Sequence, residues 1–129
     1  MKKTSSVVNQ SPAAAGGVLL GDLPATAGTF EYDETSALEQ TLLDQTIAAP
    51  VRIGSIWLDM TNVTQNTTIS LYHKVDGTNY RKFQENTWTF GVDDPGVLVD
   101  QFTAYSDVKI TLQCGGGGAG DVDVPYAVV

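Results

Sequence analysis

Few residues of this chain are of a type that could do chemistry, and none stands in a catalytic pattern. His73 is the single histidine. It lies in the strand-like run Ile69-Ser-Leu-Tyr-His-Lys-Val75. A catalytic imidazole needs a nucleophile to activate and a carboxylate to orient it, and neither stands at a diagnostic spacing, so His73 is read as structural or surface. No Gly-x-Ser-x-Gly elbow supports a hydrolase, and no carboxylate pair sits in the apolar setting that would raise a pKa for glycoside cleavage. Asp93, Asp94, Asp121 and Asp123 fall in or beside turns, where calcium collects oxygen ligands. They lack the Asp-x-Asp-x-Asp-Gly order of a calcium loop. No catalytic residue, metal or cofactor is therefore expected, and the chain is read as a non-enzyme. Gly115 to Gly118 lack the Lys and the helix start of a phosphate loop. A strand-like run follows them, so they are a turn, with moulding to a neighbour as their functional alternative. The remaining chemistry is aromatic. Trp57, Tyr72, Tyr80 and Trp88 could form a sugar-stacking platform, against the commoner use of aromatics in cores and interfaces.

The elements that must position these residues are strands. An Asp76-Gly77 pair between Ile69–Val75 and Thr78–Phe83 favours a tight reversal, because Gly accepts positive φ and Asp tolerates it. Val51–Met60 reads as one apolar run, in which Ile56, Leu58 and Met60 share a face opposite Trp57 and Asp59. Val108, Ile110, Leu112 and Cys114 alternate with Lys109, Thr111 and Gln113, the cleanest period-two pattern in the chain. Phe30–Asp33, Trp88–Phe90, Val97–Val99 and Val122–Val128 supply further short strands. Pro125 lacks an N–H and is expected at a sheet edge or on an unpaired side. Ser36–Ile47 is ambiguous: Leu38, Leu42 and Leu43 have helical spacing behind a Ser36/Glu39 capping box, whereas Thr41, Thr46 and Ile47 favour a strand. The strand reading is preferred. Short strands at these intervals predict an all-β, antiparallel sandwich, jelly-roll or Ig-like, of about seven to nine strands.

Composition bounds the rest. A length of 129 residues with 42% hydrophobic content supports one domain. A formal charge of −8 with seven scattered basic residues argues against a nucleic-acid partner. No apolar run approaches the length of a membrane span. The single cysteine, Cys114, excludes an internal disulfide and sits where a small buried thiol fits. Asn9, Gln10 and Pro12 interrupt the apolar stretch that a cleaved secretory signal needs. The sequons at Asn62 and Asn66 are then explained by turn chemistry. Residues 1–28 are rich in Ser, Ala and Gly and form an extended N-terminal arm, with Val18, Leu19, Leu20 and Leu23 as its only anchors. Residues 29–129 form the single domain.

The succession Glu39-Gln-Thr-Leu-Leu43, Gly54-Ser-Ile-Trp-Leu-Asp-Met-Thr-Asn62, Leu71-Tyr-His-Lys-Val-Asp-Gly-Thr-Asn-Tyr-Arg81, Val108-Lys-Ile-Thr-Leu112 and Val124-Pro-Tyr126 resembles small β-sandwich proteins encoded among the structural genes of tailed bacteriophages. The resemblance covers about residues 38–129. It departs in the glycine tract, where the family tends to carry Thr-Ala-Gly-type loops. It implies a virion location, a capsid decoration or head or tail accessory role, the major capsid or another virion protein as partner, and a homo-oligomer within the assembly. It offers no catalytic residues. On this reading the contact residues are Val18, Leu19, Leu20 and Leu23 of the arm and Asp93, Asp94, Gly96, Gly115 and Gly118 of the loops. The alternative is a glycan-binding sandwich using Trp57, Trp88, Tyr72 and Tyr80.

Overall fold

The alternating apolar runs become eleven strands in a computed structural model that describes residues 21–22 and 25–128. In chain order they are β1 (Gly21–Asp22), β2 (Thr26–Asp33), β3 (Gln40–Gln45), β4 (Val51–Ile53), β5 (Ile56–Asp59), β6 (Thr67–His73), β7 (Arg81–Trp88), β8 (Gly96–Val99), β9 (Phe102–Ala104), β10 (Val108–Gln113) and β11 (Asp121–Val128). No helix occurs among the described residues. Eight strands build two antiparallel sheets, ordered β2-β11-β5-β8 and β3-β10-β6-β7. The inward side chains of both sheets, among them Tyr32, Ile56, Leu58, Leu71, Ile110, Leu112 and Val124, form one core. A small third sheet joins β1, β4 and β9, with β1 parallel to β4.

The expected all-β sandwich is thus the fold, and the strand order selects the jelly roll over the Ig-like form. Of the links between successive strands of the two large sheets, only the one from β6 to β7 stays within a sheet. Every other link crosses to the opposite sheet, as in two Greek keys wrapped together. Links 34–39, 60–66, 89–95 and 114–120 therefore gather at one end of the sandwich. The links carrying β4 and β9 and the link 74–80 gather at the other, where Lys74 N–H donates to Asp107 O and Ile47 N–H to Asp107 Oδ1.

Local departures from the sequence reading have physical causes. Ser36–Ile47 holds strand β3, not a helix. Leu43 pairs with Ile110 and Thr41 with Thr111, so Leu42 is the extra residue of a bulge and both leucines bury. That bulge imitates helical spacing. Val51–Met60 is not one strand: Gly54 and Ser55 break it, and its halves pair in different sheets. The reversal at Asp76-Gly77 is wider than a two-residue turn, since β6 ends at His73 and β7 starts at Arg81. Trp88 closes β7 rather than opening a strand towards Phe90. Thr26, Ala27 and Gly28, assigned by composition to the arm, pair with Val128, Ala127 and Tyr126 in β2. Pro125 lies in a central strand, but one residue beyond the β5 ladder, which covers only Tyr126–Val128. There its missing N–H is tolerated.

The wide link is held by its own acid. Gly77 sits at φ +77° with its N–H on Lys74 O, and Asp76 Oδ1 accepts the N–H groups of Thr78 and Asn79 at 2.9 and 2.7 Å. These backbone donors, and the Asn79 amide, hold the Asp76 carboxyl down at about 2. The folded value lies below the ordinary 3.8, so the stabilisation is present above pH about 4 and is lost as pH falls through about 2. Urea unfolding of wild type and Asp76→Asn across that window should show the wild-type advantage shrinking towards the acid limit; an advantage independent of pH would contradict the assignment.

Candidate interaction surface

The end where four links gather is organised by Glu34, the first residue after β2. It is a buried carboxylate among the described residues. Its Oε2 accepts from Thr64 N–H (2.8 Å) and Gln65 N–H (3.1 Å), and its Oε1 from Thr64 Oγ1 (2.7 Å). Its backbone N–H donates to Gly120 O, and its carbonyl accepts from Gly118 N–H at 2.9 Å and from Cys114 Sγ. Cys114 is buried, as its place in the strand pattern suggested. The glycine tract closes over Glu34: a Cβ on Gly118 would stand 2.4 Å from Glu34 Cβ, and Gly116 sits at φ +80° against the backbone of Ser36 and Ala37. Sequence reasoning missed Glu34, whose neighbours Asp33-Glu-Thr-Ser36 look like an ordinary polar turn.

The next link is equally fixed. Asn66 Oδ1 accepts Phe90 N–H, Asp93 Oδ2 accepts Thr89 N–H, Trp88 Nε1 donates to Asp94 O at 2.8 Å, and Met60 N–H donates to Pro95 O. Thr89–Val92 turns at Gly91, which sits at φ +76°. On these pinned loops Leu38, Phe90 and Val92 stand 75%, 51% and 78% exposed. The topology thus brings the loop residues Asp93, Asp94, Gly96, Gly115 and Gly118 to one end of the sandwich. Gly118 packs closely on Glu34, and the backbone carbonyl of Asp94 accepts from the Trp88 indole. The exposed apolar side chains beside them were not singled out from sequence, although a lone Leu38 and the Phe90-Gly-Val92 triplet inside polar turns are the available signal. Val18, Leu19, Leu20 and Leu23 lie outside the described residues.

The four aromatics are not brought together. Trp88 is 6% exposed within the core, whereas Trp57 is 52% exposed on the outer face of the β5 sheet. Tyr72 and Tyr80 lie on the outer face of the other sheet, edge to face at 6.5 Å. Lys109 Nζ stands over both rings, at 5.0 and 4.6 Å, and Lys74 Nζ over Tyr80 at 4.8 Å. Tyr72 Oη and Thr111 Oγ1 both donate to Glu39 Oε2 at 2.5 Å, and Tyr80 Oη donates to Asp44 Oδ1 at 2.9 Å. Burial and the Asp44 carboxylate push the Tyr80 phenol up to about 12. Burial would raise Glu39, but the Thr111 and Tyr72 hydroxyls, with Lys82 and Lys109, hold it below the usual range. This face is a closed polar network in which cations already occupy the rings. His73 packs edge-on between Phe83 (5.1 Å) and Phe102 (5.4 Å), and burial there lowers its pKa. No group of three or more His, Cys, Asp or Glu able to hold a metal ion occurs among the described residues.

No protein-family model matches the chain, and no curated protein matches it. The resemblance to tailed-phage sandwich proteins therefore has no sequence match behind it. Solved structures do match in shape. A crystal structure of the Yersinia pseudotuberculosis-derived mitogen superposes with a TM-score of 0.50 at 16% identity, over 82% of this chain and 87% of that one. A subviral particle of infectious bursal disease virus VP2 superposes with a TM-score of 0.36 at 11% identity, over 82% of this chain but 32% of VP2. The likeness to the mitogen is one of fold alone.

Two measurements check this geometry. Gly118→Ala should lose about 1–3 kcal/mol of unfolding free energy through overpacking against Glu34, while Gly115→Ala, with nothing within 4 Å of its added carbon, should stay within about 0.5 kcal/mol of wild type. In acrylamide quenching, Trp57→Phe should leave a shielded indole and Trp88→Phe an accessible one; equal quenching of the two would refute the placement of the tryptophans.

Proposed function

We propose that this chain is a non-enzymatic structural subunit of a virion, a capsid decoration or head or tail accessory protein, attached through the loop end of its sandwich. The observation that carries this reading is the exposure of Leu38, Phe90 and Val92 on loops already held by hydrogen bonds. Apolar side chains displayed on a fixed scaffold bind without the entropy cost of ordering their loops. An apolar centre within a polar rim is the usual anatomy of a protein interface. On a symmetric lattice many identical contacts act together, so a small patch per subunit suffices. The sequence resemblance to tailed-phage sandwich proteins points the same way. Jelly rolls serve both capsids and lectins, so the fold is compatible with this role and does not select it. The acids Glu34, Glu39 and Asp44 are engaged by hydroxyl and amide donors, which favours a binding role over a catalytic one.

Virions of the virus that encodes this chain should contain it at a copy number set by the particle symmetry, measured by mass spectrometry and electron cryomicroscopy. Serine at positions 38, 90 and 92 together alters only exposed side chains. This triple variant should keep its unfolding midpoint and lose roughly tenfold or more in particle binding. Virions without the wild-type chain, or undiminished binding by the triple variant, would refute the proposal. A glycan-binding role is favoured by one observation, the exposed Trp57 beside Asp59 in a shared surface hollow; its test is a glycan array in which any signal disappears with Trp57→Ala.

A further inference from the structure

The two outer faces of the sandwich differ in kind. The face carrying Tyr72, Lys109 and Glu39 is polar and closed on itself. The face of the β2-β11-β5-β8 sheet is crossed by an apolar row. Ala27 pairs with Ala127, Ala127 with Trp57, and Trp57 with Leu98, so one apolar side chain from each of four strands stands in line. Trp57 and Leu98 are about half exposed. Beside the row, Asp59 is opposite Gly96, and this small residue leaves a hollow of about 360 Å³ whose lining includes Trp57, Pro125 and Ala127. At an interstrand spacing of about 4.8 Å the row is about 15 Å long. Scattered surface leucines need no explanation, but a continuous apolar row calls for a cover.

The sequence and topology together indicate what that cover is. From Thr4 to Gly21 the chain carries no charged residue, in a protein of net charge −8, and this stretch contains Val18-Leu19-Leu20. An uncharged apolar segment suits an uncharged apolar row. β1 is where that segment joins the sandwich. β1 runs parallel to β4, with Gly21 opposite Val51 and Asp22 opposite Arg52. β4 leads into β5 and Trp57 through Gly54 and Ser55. Gly21 thus stands at the Val51 end of β4, whereas Trp57 follows the Ile53 end along the chain. Twenty residues reach up to about 65 Å when extended, ample to meet another subunit.

We infer that Val18-Leu19-Leu20 of one copy docks on the Ala27–Ala127–Trp57–Leu98 row of a neighbouring copy, linking subunits through their N-terminal segments. The inference deepens the virion-subunit reading by naming how identical copies are joined, and it is tested on purified protein without particles, so the two can fail separately. Sedimentation equilibrium of the full chain measures self-association. A row variant (Trp57→Ser with Leu98→Ser) and a segment variant (Leu19→Ser with Leu20→Ser) should each associate at least tenfold more weakly, with unchanged far-ultraviolet circular dichroism. Mixed together, the two should recover a one-to-one heterodimer, because the segment variant keeps an intact row and the row variant keeps an intact segment. That complementation is specific to docking between copies. Four outcomes would overturn the inference: a wild-type chain that stays monomeric, association lost in the row variant but kept in the segment variant, failure of the mixture to pair, or a monomer that instead binds glycan through Trp57.

Discussion

The loop end of this sandwich is built on one buried carboxylate. Glu34 leaves water for a site in which two backbone amides and a hydroxyl donate to it, and its own backbone pairs with Gly118 and Gly120. A carboxylate buried without such donors would cost several kcal/mol. The carboxylate's donors come from link 60–66 and the partners of its backbone from link 114–120, so the site exists only when three links are correctly placed at once. That requirement makes the end a unit and fixes what neighbouring loops display. It also explains why position 118 has no side chain, since the space is taken by Glu34.

From that end outward, the molecule divides its surface by chemistry. The outer face of the β3-β10-β6-β7 sheet consumes its charges internally: lysines lie over tyrosines, and tyrosines donate to acids. The opposite outer face carries an apolar row, with Ala27, Ala127, Trp57 and Leu98 in register. The loop tips add a second apolar area at one end, while β1 and the small sheet lie at the other.

Much of this was legible before folding was considered. The period-two runs in β5 and β10 show their buried faces directly, with Ile56, Leu58 and Met60 inside and Trp57 and Asp59 outside. Other features misled for identifiable reasons. A bulge at Leu42 placed two adjacent leucines in the core and imitated a helix. Gly54 and Ser55 divided what hydrophobicity alone presents as one strand. The aromatic set was legible as residues but not as a site, because strands close in sequence diverge to opposite sheets in a jelly roll. Glu34 left no signal at all, since nothing local distinguishes a buried acid from the exposed acids beside it.

The sequence by itself determined the class of the protein: all-β and acidic, with a buried thiol. Those properties follow from composition and from side-chain alternation, which depend only on near neighbours along the chain. The tertiary structure alone decided the jelly-roll order, the buried Glu34, the gathering of loops at one end and the apolar row across four strands. Each of these joins residues from distant parts of the chain, such as Ala27, Trp57, Leu98 and Ala127, whose association is set by sheet crossings and strand register. Alternation fixes which face a side chain takes, but it carries no information about which strand lies alongside.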